Sequence, residues 1–592
     1  MRDDAKAILE KIFGYPSFKG GQAGVVESLL ERRDTLALMP TGAGKSICYQ
    51  LPALLFDGVT LVVSPLIALM KDQVDALATL GVPATFINSS LKAAELRQRM
   101  SDVAAGRYKL IYVAPERLEA EGFQELSDSM GVSFLAVDEA HCVSQWGHDF
   151  RPSYKKIAPF INSLAKRPLV GAFTATATPE VKEDIVTLLG LRDANVFVTG
   201  FNRENLDFSV LRGENKQEFV LEYLAAHPGQ SGIIYTATRK EVDSLYEVLR
   251  KNGIKAGRYH AGMREAERAE NQDAFLRDDL PVMVATNAFG MGIDKSNVRF
   301  VIHYNLTKNM EAYYQEAGRA GRDGERGQCI LLYSAQDILV QKFLIEQNVY
   351  SPKRKAHDFA KLQLMADYCH TSRCLRHFIL DYFGEVDAPE SCGNCVNCLD
   401  DRQEVEITRE TQMVLSCVVR MKERYGGALV AEVLKGAGNK KIKQLGLNQL
   451  STYGLLAHWS LQEIKDVIGF LTAEGYLRLT EGKYPLVKLG ERASAVLRQG
   501  EAVCRKVTIQ QKAKTDDTLF AVLRQLRKEI ADRDNMPPYI VFSDATLREM
   551  SEKSPRNKQS FLRVNGVGEK KMERYGEEFL QAICKYQAEG YK

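Results

Sequence analysis

Short apolar runs alternating with helical patterns dominate the first half of the chain. Thr35-Leu36-Ala37-Leu38, Thr60-Leu61-Val62-Val63, Leu110-Ile111-Tyr112-Val113 and Phe134-Leu135-Ala136-Val137 are β-rich. Each is followed by a stretch with helical spacing, so the order predicts a parallel sheet with crossover helices. The rhythm restarts after about residue 201 with Gly232-Ile233-Ile234-Tyr235, Val282-Met283-Val284-Ala285 and Phe300-Val301-Ile302-His303. Two α/β halves are therefore expected. From about 407 to 500 the pattern becomes helix-rich and ends in Gly475 to Thr480 and Pro485 to Leu489, with Gly482 and Lys483 at the turn between them. Helices closing in a β-hairpin are expected there. Polar stretches at Asp400 to Glu406 and at 501–514, the latter with Lys506, Lys512 and Lys514, read as linkers.

Composition changes this picture little. A chain of 592 residues exceeds what one core serves, so several domains are expected. With 45% hydrophobic and 26% charged residues it is an ordinary globular composition, and a net charge of +3 does not by itself predict nucleic acid. No apolar run approaches the roughly 18 residues of a membrane span. The start, Met1-Arg2-Asp3-Asp4, lacks an apolar signal core, which predicts a cytoplasmic, nucleoid-associated protein. Eleven cysteines in such a chain suggest metal where they cluster, not disulfides.

Two motifs carry the chemistry. Met39-Pro40-Thr41-Gly42-Ala43-Gly44-Lys45-Ser46 follows one β-rich run and precedes a helical stretch. That context suits a phosphate loop, in which backbone N–H groups curl around phosphates, Lys45 neutralises them and Ser46 ligates Mg²⁺. Asp138-Glu139-Ala140-His141 closes another buried-looking strand. Asp138 suits the magnesium shell, and Glu139 suits polarising an attacking water. Arg319 and Arg322, three apart, share a helix face and can reach a γ-phosphate as arginine fingers, or they are surface arginines. Trp146, His148, Phe150 and Arg151 suit base stacking on a single strand, or a hydrophobic plug between lobes. Thr174 and Thr176 couple hydrolysis to lobe motion, or fill a turn. Cys392-Gly393-Asn394-Cys395-Val396-Asn397-Cys398, with Cys374 upstream, suits a closed tetrahedral Zn²⁺ site. An iron–sulfur cluster is the rival metal. Cys369 and His370 compete with Cys374 as the fourth ligand.

These motifs, with Phe13-Gly14-Tyr15, Phe18, Gln22, Ser64 to Met70, His141 to Pro152, Ala285 to Asp294 and Gln315 to Arg322, resemble in order the RecQ family of superfamily-two DNA helicases. The resemblance implies two RecA-like parallel-sheet lobes, a zinc-binding helical module, a winged helix and a small all-α HRDC domain. The corresponding boundaries are 1–200, 201–345, 346–402, 403–505 and 515–592. It implies an ATP- and Mg²⁺-dependent DNA helicase of 3′-to-5′ polarity acting in recombination and repair. Catalysis falls to Lys45, Asp138, Glu139, Gln315, Arg319 and Arg322. Nucleotide binding falls to Phe13, Tyr15, Phe18, Gln22, Thr41, Gly42, Gly44, Lys45, Ser46 and Asp138, with the Gln22 side chain pairing with the adenine edge. The zinc ligands are Cys374, Cys392, Cys395 and Cys398.

In the C-terminal region, residues 403–500 carry fourteen basic against ten acidic residues, with Lys435, Lys440, Lys441 and Lys443 near a Gly-rich turn. Phosphate contact through Lys441 or a solvated loop both fit. Trp459 faces duplex DNA or is buried, and Tyr484 stacks or packs. The segment Asn535 to Phe542 and the segment Asn565 to Lys571 carry the HRDC likeness. That domain has fourteen basic against thirteen acidic residues, and Tyr539 with Lys570 or Lys571 is the candidate single-strand contact; protein contact or lobe regulation is the rival role. Single-stranded and duplex DNA (forks and junctions) and a single-strand-binding protein are the expected partners, and a monomer is the expected state. An RNA motor, or a scaffold using ATP as a switch, are the alternatives.

Overall fold

The computed structural model describes residues 2–120, 122–147, 149–290, 295–348, 351–385, 387–399, 405–480, 482–505, 518–534, 536–555 and 557–588. His148 lies outside them, as do Met291 to Asp294, Asn535 and the lysines of the 506–514 stretch.

The first lobe is built on seven parallel strands: β1 (Thr35–Leu38), β2 (Val59–Val63), β3 (Ala84–Ile87), β4 (Leu110–Val113), β5 (Val132–Val137), β6 (Leu169–Thr174) and β7 (Asn195–Val198). Their spatial order is β3-β4-β2-β5-β6-β1-β7. Most of these strands are buried along their whole length, as a parallel sheet covered on both faces requires. The second lobe repeats the plan with six parallel strands: β8 (Leu206–Arg212), β9 (Gly232–Tyr235), β10 (Ala256–Tyr259), β11 (Val282–Ala285), β12 (Phe300–His303) and β13 (Gly327–Tyr333). Their order is β10-β11-β9-β12-β13-β8. Each strand pairs with a sequence neighbour or crosses over by a helix, so the C-terminal strand ends of both lobes open towards one cleft-side set of loops.

Four helices position the functional groups: α1 (Lys45–Leu55), α2 (Met310–Ala317), α3 (Ala335–Gln347) and α4 (Pro352–His370). Helix α4 begins with Pro at its first turn and a Ser351 cap, and runs from the second lobe into the cysteine cluster. One continuous core joins lobe residues such as Val137 and Leu331 to Phe378, Phe383 and Cys395, so the zinc module is part of the motor. Two modules have cores of their own. Residues from Ile407 to Val503 form the helices 408–420, 427–435 and α5 (Leu461–Ala473), closed by the antiparallel hairpin 477–479 with 487–489. That is a winged helix. Residues from Leu519 to Ile583 form an all-α domain. Among the described residues no helix is long and apolar enough to cross a membrane.

Candidate active site

The phosphate loop leaves β1 and enters α1 through Gly44, which adopts a left-handed conformation (φ 78°) as the helix cap. Lys45 opens the helix and donates to the Met39 carbonyl at 3.2 Å. Gly42 has φ 86°, and a Cβ there would sit 3.1 Å from the Arg203 guanidinium and 3.4 Å from the Arg322 Cα. Glycine is needed at this position for conformation and for clearance alike. The loop therefore touches the second lobe directly.

Asp138 and Glu139 follow β5. The Asp138 carboxylate accepts the Glu139 N–H at 3.0 Å, and its carbonyl accepts the buried Tyr154 hydroxyl at 2.8 Å. Glu139 has φ 47°, a left-handed conformation costly for a side chain of its size. Its Oε2 is buried without a hydrogen bond, although His141 Nδ1 lies 3.4 Å away. Burial lowers the pKa of His141, and the same nitrogen bonds the Thr174 hydroxyl at 2.8 Å. The acidic motif is thus tied to the Thr174-Ala175-Thr176 segment through one imidazole.

One cavity of about 390 Å³ gathers these groups. Lys45, Ser46, Asp138, Glu139, Thr41, Gly42, Gly44, Phe13, Tyr15 and Gln22 line it from the first lobe; Gln315, Arg319 and Arg322 line it from the second. Arg319 donates to the Gly290 carbonyl from a buried position. Phe18 is not in the lining and packs on the first lobe's core. Gln22 is buried: it accepts the Lys19 N–H at 2.8 Å and donates to the carbonyls of Ala43 (2.9 Å) and Gly44 (3.2 Å). In this conformation its amide braces the phosphate loop.

Arg203, at the joint between the lobes, had no motif to mark it. Its guanidinium donates to the Thr41 carbonyl of the phosphate loop and to the carbonyls of Gly318 (3.4 Å), Ala320 (3.1 Å) and Gly321 (2.8 Å) beside the two arginines. It ties the phosphate loop to the turn that carries Arg319 and Arg322. Also unforeseen is a third wall: Tyr539, Ile540, Ser543 and Lys571 of the C-terminal helical domain line the same cavity. Burial pushes the Lys571 ammonium down to about 8. Lys570 donates to the Leu80 carbonyl at 2.9 Å, and Gly568 packs on Gly14, where an added Cβ would meet the Gly568 nitrogen at 2.7 Å. No local pattern encodes that docking.

The loop after Glu139 is seated, not extended. Trp146 is half-buried, its ring 5.1 Å from that of His357. Phe150 lies under the Lys155 ammonium at 5.3 Å. Arg151 bonds Asp149 at 3.0 Å and the Pro65 carbonyl at 2.8 Å. In the winged helix, Lys440, Lys441 and Lys443 are exposed, whereas Lys435 donates to the carbonyls of Ala457 (2.7 Å) and Trp459 (2.8 Å). Trp459 packs partly buried on that module's core, and Tyr484 is 80% exposed at the wing tip.

The thiols of Cys374, Cys392, Cys395 and Cys398 lie within 4.8 Å of one another. Cys374–Cys395 and Cys392–Cys398 are each 3.9 Å apart. A tetrahedron of sulfurs about 2.3 Å from Zn²⁺ has edges of about 3.8 Å, so the set fits that ion. Hydrogen bonds from neighbouring thiols, Cys395 first, pull the Cys374 thiol down and push its partner Cys395 up, so the two share a proton until a metal displaces it. Cys369 is buried in the core, and His370 turns to the Tyr333 hydroxyl at 3.1 Å, so neither belongs to the cluster. Beside it, Arg376 donates to the Arg203 carbonyl and to Asn202 at 3.1 Å, which anchors the lobe joint to the zinc module.

The comparisons with known proteins agree along the whole chain. Family profiles match in order: DEAD/DEAH box helicase at 19–185, helicase conserved C-terminal domain at 215–324, RecQ zinc-binding at 335–399, RQC domain at 401–515 and HRDC domain at 516–583. The chain is 51% identical to the ATP-dependent DNA helicase RecQ of Bacillus subtilis over 99% of both chains. It is 40% identical to the ATP-dependent DNA helicase RecQ of Pasteurella multocida, over 98% of this chain and 94% of that one. It is 34% identical to the RecQ-like DNA helicase BLM of Xenopus laevis, over 98% of this chain and 46% of that one. A phosphate loop, an acidic pair and two arginines facing one cavity, with four clustered thiols and this run of domains behind them, make the chain a member of the RecQ family of DNA helicases.

Proposed function

We propose that this chain is an ATP- and Mg²⁺-dependent DNA helicase that moves 3′-to-5′ along one strand and separates duplexes in recombination and repair. The observation that carries the reading is the single cavity lined by the phosphate loop and acidic pair of one lobe and by Gln315, Arg319 and Arg322 of the other. A site completed across two lobes ties nucleotide chemistry to their relative motion. Lys45 neutralises the β- and γ-phosphates, and the loop N–H groups cradle them. Ser46 and Asp138 hold Mg²⁺, which supplies charge neutralisation there when bound. Glu139, with its buried oxygen lacking a hydrogen bond, orients the attacking water. Arg319 and Arg322 meet charge developing on the γ-phosphate. Phe13 and Tyr15 shape the base side, and Gln22 reads the adenine edge by exchanging its bonds to Ala43 and Gly44 for the base.

DNA is contacted by Trp146, His148, Phe150 and Arg151 in the motor, by Lys441 in the winged helix, and by Tyr539 and Lys570 when the HRDC domain leaves the motor. Cys374, Cys392, Cys395 and Cys398 hold a structural Zn²⁺. The units span 1–200, 201–345, 346–402, 403–505 and 515–592. The protein works as a monomer in the nucleoid, alongside a single-strand-binding protein.

Strand displacement with Mg-ATP on four duplexes, DNA or RNA with a 3′ or a 5′ tail, tests this reading. Displacement confined to 3′-tailed DNA is expected, and Lys45→Ala lowers it at least about a hundredfold, the scale of losing one preorganised charge contact. Efficient displacement of RNA, or DNA-stimulated hydrolysis without displacement, overturns it.

A further inference from the structure

Helix α4 presents a basic face to the loop after Glu139. Lys353, His357 and Lys361 are spaced by four and share that face, with Arg354 beside them. Every one of the four meets the loop. The Lys353 ammonium lies 5.2 Å from the Trp146 ring centre, and His357 packs against the same ring. Arg354 donates to the Gly147 carbonyl at 3.2 Å, and Lys361 donates to the Trp146 carbonyl at 3.2 Å.

Arg354 also pairs with Asp358 on its own helix at 3.2 Å, whereas the second partner of Lys361 lies on the second lobe. Only 7% exposed, Lys361 also donates to the carboxylate of Glu311, itself 3% exposed. Glu311 lies in the first turn of α2. Gln315 is four residues further on the same helix face, and Arg319 is eight further, just past the helix end. A buried ammonium needs its hydrogen bonds, so loss of one partner forces the other to adjust. One partner here belongs to the aromatic loop of the first lobe and the other to the arginine-bearing helix of the second.

We propose that the Lys353–Lys361 face of α4 is a seat for the aromatic loop, and that Lys361 is a positioning residue linking the seated loop to Gln315 and Arg319. The inference rests on the helicase reading: a single strand that draws Trp146 off the seat takes the Trp146 carbonyl from Lys361. The ammonium then turns wholly to Glu311 and shifts the first turn of α2. Short rigid helices transmit such a shift to their far end. Strand occupancy thereby reaches the γ-phosphate side of the cavity without the DNA touching it.

The chain's two tryptophans make the seat observable, because Trp459→Phe leaves Trp146 as the sole indole. In that background, Lys361→Met and Glu311→Gln are compared with the unsubstituted seat by emission, before and after adding a dT20 oligonucleotide. Glu311→Gln preserves volume and serves should Lys361→Met fold poorly. Before DNA, Lys361→Met is expected to show the red-shifted emission that the parent reaches only with dT20, whereas Glu311→Gln, which leaves the bond to the Trp146 carbonyl, keeps the parent's emission. The dT20-stimulated kcat for ATP is expected to fall about tenfold in both, with KM for ATP changed less than about threefold. Lys361→Arg restores at least half. Parental emission in Lys361→Met, or parental stimulation in both variants, overturns the proposal. So does a loss that appears in KM or that Lys361→Arg does not rescue. If the parent shows no stimulation by dT20, the helicase reading fails, while the emission comparison without DNA still decides whether the seat exists.

Discussion

The winged helix and the HRDC domain have similar composition and independent cores, yet they attach to the motor in different ways. The winged helix hangs from the zinc module. Thr371 and Ser372 bond Glu474 at 2.9 and 3.0 Å, and a Cβ at Gly469 on α5 would come within 3.0 Å of the His370 ring. Its lysines at 440, 441 and 443 remain in solvent. The HRDC domain instead turns its basic groups inward and bridges both lobes. Arg548 pairs with Glu325 at 2.6 Å and Lys528 with Asp279 at 2.8 Å on the second lobe, and Lys570 reaches Leu80 on the first. A net charge summed over a domain hides this difference, because it does not record which face each cation occupies.

Metal removal should break the comparison most strongly. Structural zinc contributes about 10–16 kcal/mol in small modules, and here the cluster shares the motor's core. A chelator is expected to release the winged helix together with the zinc module and to loosen the lobe joint held by Arg376. The HRDC contacts to the lobes do not pass through the cluster and should survive. Mass-resolved hydrogen exchange with and without chelator reads both modules at once; equal deprotection of the two would remove the distinction.

Asp278→Asn is the converse experiment. Asp278 pairs with Lys295, whose side chain is fully buried, and faces the fully buried Arg527 of the HRDC domain at 3.7 Å. Its backbone is left-handed (φ 64°), which asparagine tolerates, so the change removes charge without new strain. Arg527 keeps Asp544 at 2.8 Å, so the change leaves the buried Lys295 ammonium uncompensated, at a cost of about 3–5 kcal/mol. The HRDC domain is expected to undock, with altered KM for ATP and an unchanged winged helix. Calorimetry and ATP titration check it.

Acidity separates the modules by the pH window in which each loses stability. Burial first, then Arg212 and Arg505, push His370 down to about 3. Its unfolded form takes a proton near pH 6.5, so the winged-helix junction loses stability as pH falls from 6.5 towards 3, about 2 kcal/mol by pH 5. Asp278 loses its contribution in the same direction but only at lower pH. Burial raises its pKa, but Lys295 and Arg527 outweigh that and hold it well below the usual carboxylate range. Its contribution is complete above about pH 4 and fades only below, so the part of HRDC docking that rests on Asp278 should be flat between pH 7 and 5. His370→Gln keeps a hydrogen-bonding amide without a titrating ring and should flatten the winged-helix profile in urea melts across that range.

The same division separates local signals from long-range ones along the chain. The phosphate loop, the acidic pair and the cysteine triplet are legible because each is a few residues whose spacing alone sets the geometry. The two sheets are legible because their strands, buried on both faces, read as apolar runs. Arg203 acts through three carbonyls that lie more than a hundred residues away and a fourth in the phosphate loop, and carbonyls leave no trace in residue identity. Lys571 and Tyr539 reach the nucleotide cavity only because a separate domain folds back, which depends on surface fit rather than on pattern. Trp146 carries the signature of an exposed stacking platform, yet its seat comes from cations two hundred residues later.

The smallest expected effect sharpens the comparison furthest, because it sets one lysine against another. Lys441 and Lys570 are both exposed, both flank glycine-containing turns, and both suit phosphate by sequence. Lys441 has its ammonium in solvent on the winged helix, whereas Lys570 is engaged by the Leu80 carbonyl of the motor. Each phosphate contact contributes about one unit to the slope of log affinity against log salt. Lys441→Ala should therefore weaken duplex binding only severalfold at about 0.1 M salt and reduce that slope by about one. Lys570→Ala should leave the slope for duplex unchanged in the docked protein. In Asp278→Asn, where the HRDC domain is released, Lys570→Ala should begin to lower the slope for single strands. Equal slopes for the two lysines in the parent protein would mean that the docked face is also a DNA face, and the contrast between the modules would fall with it.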